Sequence, residues 1–144
     1  MGSRLKVKYR ALVLYYSRLY RQWVGKIMKI ILFLWQLPQN LLGLLVILFT
    51  RAKKSSWCYL TDKRLGVSLG KYIILYKGCL WEDILHERGH QKQSLYLGWL
   101  YLPIIGLPSV LGNLVWRIFK LPYLDYYKQP WEKWADKLGG VVRK

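Results

Sequence analysis

The sequence predicts an α+β fold, mostly helical, and three observations predict it. Two long uncharged runs have helical length, a basic segment with amphipathic periodicity precedes the first, and short β-prone runs lie between them. The 144 residues suit a single domain, 1–144. Within it we expect a basic amphipathic helix over 1–29, an apolar segment over 30–50, a short antiparallel β hairpin over 55–78, and helices over 80–144.

Composition narrows the classes of function. Hydrophobic residues make up 53% and aromatics 16%, which excludes a disordered chain. Against 24 Lys and Arg stand 7 Asp and Glu, a net charge of +17 that calls for an anionic partner. Anionic membrane lipids and nucleic acid are the two candidates. The cations are spread along the whole chain and interrupted by uncharged runs, which favours lipid and makes nucleic acid the lesser alternative. Only Cys58 and Cys79 are present, so no disulfide framework organises the fold, and both are expected as thiols.

In the first thirty residues Arg10, Arg18, Arg21, Lys26 and Lys29 fall on one half of a helical wheel. Leu12, Val13, Tyr16, Leu19, Tyr20, Trp23, Ile27, Ile30 and Ile31 cover the other half. The cations leave no signal-peptide core, and a basic face opposite a Trp/Tyr/Leu face suits a helix lying in an anionic membrane surface. Packing of that face on the domain core is the alternative.

Ile30 to Phe49 carries no charge and has the length of a bilayer core, about 30 Å as a helix. Gln36, Pro38, Gln39 and Asn40 break its middle, and amides at that depth need partners. Cations flank it equally on both sides, so a broken helical hairpin explains it better than a span. From Ser55 to Gly78, Trp57–Thr61 and Tyr72–Tyr76 are β-prone, with Gly66, Gly70 and Gly78 as turns. Tyr72–Tyr76 could serve as an edge strand for an extended peptide, or equally be plain core. Helical character returns over 80–101, a second uncharged run covers Gln93 to Trp116, and Pro130 starts a short helix that Gly139-Gly140 ends.

Both histidines of the chain lie in His86-Glu87-Arg88-Gly89-His90, an H-E-x-x-H inside a helical segment. Four residues apart, the two imidazoles share a helix face and can reach one ion. Glu87, about 100° around, can take the proton of a water that zinc activates. A third ligand is needed, and the oxygen candidates are Asp62, Glu82, Asp83, Asp125, Glu132 and Asp136. Glu132 and Asp136 stand out. Spaced i,i+4 on one helix, Glu132 could ligate while Asp136 accepts a hydrogen bond from a ligating imidazole.

HERGH followed by Glu132-x-x-Ala135-Asp136 resembles the gluzincin metallopeptidases, in particular the membrane prenyl-protein-protease and heat-shock protease type. The chain is also similar to small bacterial or phage-borne proteins sharing HExGHxxQS and PWExWADxLGG patterns. The resemblance implies a small membrane-associated zincin-like domain. It makes His86, His90 and Glu132 the zinc ligands, Glu87 the general base and Asp136 the residue that orients a histidine. No histidine remains to stabilise an oxyanion, which leaves Tyr126, Tyr127 or Arg88.

The expected function is thus zinc-dependent hydrolysis of a peptide bond in a peptide or protein substrate. The expected place is a bacterial inner membrane, with the site on the cytoplasmic side. Alternatives are a catalytically silent membrane protein with a structural zinc site or none, and a basic nucleic-acid-binding protein. If the two halves of the site share one ion, a single crossing by residues 93–116 is excluded. That run must double back, lie in the interface or be a core helix, and the break over Pro103–Pro108 suits a turn-back.

Overall fold

The computed structural model describes the backbone of residues 2–143 and the side chains of that range except residues 2–13, 123 and 124. The side chains of Arg10, Leu12 and Val13 therefore lie outside the described residues. Where the sequence predicts one domain, the chain divides into two compact units, Met1–Leu34 and Trp35–Lys144. The physical reason is the length of α1 (Gly2–Trp35), which at 34 residues runs about 51 Å and can bury little against itself. Its apolar face is open: Tyr16, Tyr20, Trp23, Ile27, Ile30 and Ile31 are all exposed.

The second unit is α+β and mostly helical. It begins with α2 (Leu37–Thr50), followed by β1 (Lys53–Ser55), β2 (Cys58–Thr61), β3 (Gly66–Leu69) and β4 (Tyr72–Tyr76). Next come α3 (Trp81–Leu97), a 3-10 turn at Gly98–Leu100, a π-helical turn at Leu102–Gly106 and α4 (Leu107–Ile118). The chain closes with α5 (Tyr123–Tyr126) and α6 (Pro130–Gly139).

The strands form one mixed sheet in the order β1-β2-β4-β3. β1 and β2 are antiparallel, with Lys54 opposite Tyr59, and β3 and β4 are antiparallel, with Val67 opposite Ile74. β2 and β4, however, are parallel, with Leu60 opposite Leu75. This corrects the expected antiparallel hairpin, and of the two readings of Tyr72–Tyr76, edge strand or core, the strand is core. The strand is central because Tyr72, Ile73, Ile74 and Leu75 are all buried, so neither face can meet water. Ile73 and Leu75 form a cluster with Cys58, against which Leu60, Cys79 and Ile84 pack, and both cysteines are thiols. β3 is left as an edge, and it packs on α3.

The amides in the middle of the apolar segment find partners inside the protein. Gln36 Nε2 donates to Ser94 Oγ at 3.0 Å, and Gln39 Nε2 to the Gly98 carbonyl at 2.6 Å. Asn40 Oδ1 accepts from the Lys71 amide at 2.8 Å, closing the β3–β4 turn, where Gly70 has a φ of +61°. α2 is thereby fastened to the end of α3 and to the sheet. Among the described residues no single helix is long and apolar enough to cross a membrane; only the broken pair Leu14–Trp35 and Leu37–Thr50 reaches that length and composition together.

The second uncharged run does not turn back at Pro103–Pro108. The chain turns earlier, at Gly98, whose φ of +53° ends α3, and Leu102–Ile118 then continues as one helical stretch. Pro103 sits at the start of the π-helical turn, where the missing donor costs little. On α4, Leu107, Val110, Leu111, Leu114, Ile118 and the following Phe119 are exposed.

Candidate metal centre

Two glycines set the distance between the helices that carry the site. A Cβ on Gly89 of α3 would collide with the Ala135 carbonyl of α6, and one on Gly139 with the Leu85 carbonyl. With side chains absent at both points, the two backbones touch. His86 and His90 then face Glu132 and Asp136 across the contact.

Three ligand atoms converge there. His86 Nε2 lies 3.0 Å from Glu132 Oε2, His90 Nε2 lies 3.2 Å from the same oxygen, and the two Nε2 atoms are 3.1 Å apart. Four ligands about 2.0–2.1 Å from a tetrahedral ion are separated by about 3.3 Å, so the triangle has the size of one face of such a shell. All three residues are buried, and Glu132 is fully so. Among the described residues this is the group of His, Cys and acid side chains that could hold a metal ion. Without a cation or a shared proton, three electron pairs would oppose one another out of reach of water.

The outer nitrogens are held in the sense a ligating imidazole needs. His86 Nδ1 is 2.7 Å from Asp136 Oδ1, and His90 Nδ1 is 2.7 Å from Gln93 Oε1. Acceptors at both Nδ1 positions place the protons there and leave the Nε2 lone pairs free to ligate. Gln93 is itself anchored, donating through Nε2 to the Trp131 carbonyl at 2.8 Å. Tyr126 donates to the other oxygen of Glu132, Oε1, at 2.7 Å.

The electrostatics follow from burial and these partners. Burial opposes a charged His86, but Asp136 and Glu132 outweigh it and raise the imidazole from 6.5 to about 9. Glu132 is held well below the ordinary carboxylate range: burial pushes it up, and the two imidazoles more than reverse that. Asp136 is lowered likewise, against burial, by His86 and Arg143. Glu87 goes the other way, raised chiefly by burial, with the imidazoles only partly offsetting it. A site that grips a proton between imidazole and carboxylate grips a divalent ion by the same charges.

Glu87 faces a cleft of about 690 Å³ bounded by β3, α3 and α4. Among the described residues its buried Oε2 has no hydrogen-bond partner. The bare Gly66 of β3 leaves room for the carboxylate, since a Cβ there would stand 3.1 Å from Oε1. His86, His90, Tyr126 and Tyr127 also line the cleft.

The other candidates separate clearly. Arg88 is exposed and lies over the Trp57 ring, 5.0 Å from its centroid. Two residues beyond His86 it is turned about 200° around the helix, away from the cleft, so it does not serve the site. Tyr126 is committed to Glu132 and Ser109, while Tyr127 sets its ring edge-on to His86, 5.1 Å between centroids. Asp62 pairs with Lys77, Asp125 with Lys128, and Asp83 accepts from the Leu80 amide. Glu82 is exposed. None of these joins the histidines.

Sequence reasoning missed Gln93, Arg143, Ser109 and Tyr101. Gln93 carried a signal, being three residues beyond His90 and so on its face. Tyr101 donates to the Ser68 carbonyl at 3.1 Å in the cleft wall, and no spacing pointed to it. No protein-family model matches this chain, and comparison with curated proteins and with solved structures finds no similar one.

Proposed function

We propose that this protein is a membrane-associated, gluzincin-type metallopeptidase with zinc as its metal. The observation that carries the proposal is the buried Nε2–Nε2–Oε2 triangle, 3.0–3.2 Å on each side, beside a buried Glu87 oxygen that has no partner among the described residues. Two imidazoles and one carboxylate are the donor set of catalytic zinc sites, which keep a further position open. Bound there, zinc would supply Lewis acidity, polarising a carbonyl and lowering the pKa of a water.

The remaining steps belong to the chain. His86, His90 and Glu132 hold the ion, and Asp136 and Gln93 fix the two imidazole rings. Glu87 takes the proton from the attacking water and hands it to the leaving amine. β3, an edge strand in the cleft wall, is placed to pair with an extended peptide. Arg64 and Arg117 line the same cleft and favour an acidic substrate.

Membrane association is supported by the charge of +17, by the open apolar face of α1, and by the exposed leucines of α2 and α4. We infer that the protein lies in the inner leaflet of a bacterial-type membrane, its site on the cytoplasmic side. The test is cleavage of a peptide library by zinc-loaded protein in anionic vesicles. Cleavage that disappears in Glu87→Gln and with a chelator is the expected result. Zinc-loaded protein that cleaves nothing, or cleavage that survives both treatments, overturns the proposal.

A further inference from the structure

Asp136, the support of His86, is itself supported from the tail of the chain. Arg143 donates through Nε to Asp136 Oδ2 at 2.7 Å and through Nη2 to Oδ1 at 3.0 Å, a two-point grip on the carboxylate. The same guanidinium lies 3.3 Å from the centroid of the Tyr127 ring, which packs perpendicular to the His86 ring. Arg143 thus braces both groups that orient His86: its hydrogen-bond acceptor and its packing neighbour.

The backbone is built to bring it there. Gly140 ends α6 at a φ of +79°, a left-handed turn that L side chains disfavour, and the Val141 amide closes on the Asp136 carbonyl at 2.9 Å. The chain therefore reverses direction, and the residue seven positions beyond Asp136 returns to it.

We propose that Arg143 is a positioning residue for the metal centre: by fixing both oxygens of Asp136 it sets the direction of the His86 ring and hence metal affinity. The inference rests on the metal-centre reading above. Two effects compete. The guanidinium charge draws electron density from Asp136, which weakens the support, whereas the two-point grip removes the carboxylate's freedom to rotate. The grip dominates because supports of this kind are worth about 10–100-fold in affinity, while the charge acts through an intervening carboxylate.

The experiment measures zinc affinity by chelator competition in the full chain, with the visible spectrum of the cobalt-substituted protein as a second readout. Arg143→Ala is expected to weaken zinc binding about tenfold and to alter the cobalt bands. Arg143→Lys, which keeps the charge and loses the fork, should fall between Arg143→Ala and the parent. Lys137→Ala, at an exposed cation of α6, should change neither. Arg143→Gln provides the same comparison if the alanine variant does not fold. Affinity that is unchanged or tighter in these Arg143 variants, with an unaltered cobalt spectrum, overturns the inference and leaves the metal-centre reading standing. A parent protein that binds neither zinc nor cobalt overturns that reading, and the inference with it.

Discussion

Gly89 and Ala135 are in direct backbone contact, so close that a single added methyl at Gly89 would strike the Ala135 carbonyl. Between them they decide whether the two halves of the candidate site meet, because His86 and His90 flank the glycine on α3, and Glu132 and Asp136 flank the alanine on α6. The expected cost of Gly89→Ala is that of overpacking, about 1–3 kcal/mol, with lost metal binding as the helices separate. Thermal melts and metal titration check it. A variant with the parent's melting temperature and metal content would mean that the contact is not needed.

Glu87→Gln removes the proton acceptor and keeps the shape. Metal binding should be retained, because Glu87 is not a member of the triangle, while peptide hydrolysis should fall by about 10²–10⁴. Turnover beside metal content separates this outcome from a structural metal site, which has no such activity to lose.

The sign of the pH response follows from His86. In the metal-free protein its folded value of about 9 exceeds the ordinary 6.5. That contribution to stability is complete below about 6.5 and is lost as pH rises through about 9. Chelator-treated protein should therefore melt progressively lower from neutral to alkaline pH. Zinc must displace the same proton, so its apparent affinity should rise over that interval and level off above it. Melting curves with and without zinc at several pH values test both trends. Affinity independent of pH would show that zinc displaces no such proton.

Binding to vesicles should depend on lipid charge and on salt. With 24 Lys and Arg against 7 acids, co-sedimentation with vesicles rich in anionic lipid should exceed that with neutral vesicles, and raised salt should weaken it. Equal binding to both kinds of vesicle would remove the electrostatic part of the membrane proposal.

The residues of the triangle were legible because helical spacing is a local property: HERGH and the Glu132–Asp136 pair each announce a face. That the faces meet depends on Gly89 and Gly139, whose role appears only once two helices are packed. The sheet was less legible. Val67 and Ser68 of β3 give a weak strand pattern, so the apolar run Tyr72–Leu75 reads equally as edge or core until β3 is seen to take the edge. Pro103 and Pro108 read as a turn, yet a π-helical turn and a helix start absorb them, and Gly98 does the turning. Gln36, Gln39 and Asn40 read as a break between apolar stretches and prove to be the amides that fasten α2. Arg143 carried no spacing signal, since its place depends on the left-handed turn at Gly140.

Metal analysis of the purified full chain beside His86→Ala and Glu132→Ala tests the central claim most directly. The account predicts about one zinc per chain in the parent and loss of it in both variants, since each removes one corner of a three-ligand site. Zinc retained at parental level in Glu132→Ala would contradict it, for the ion would then be held without the carboxylate that joins the two helices.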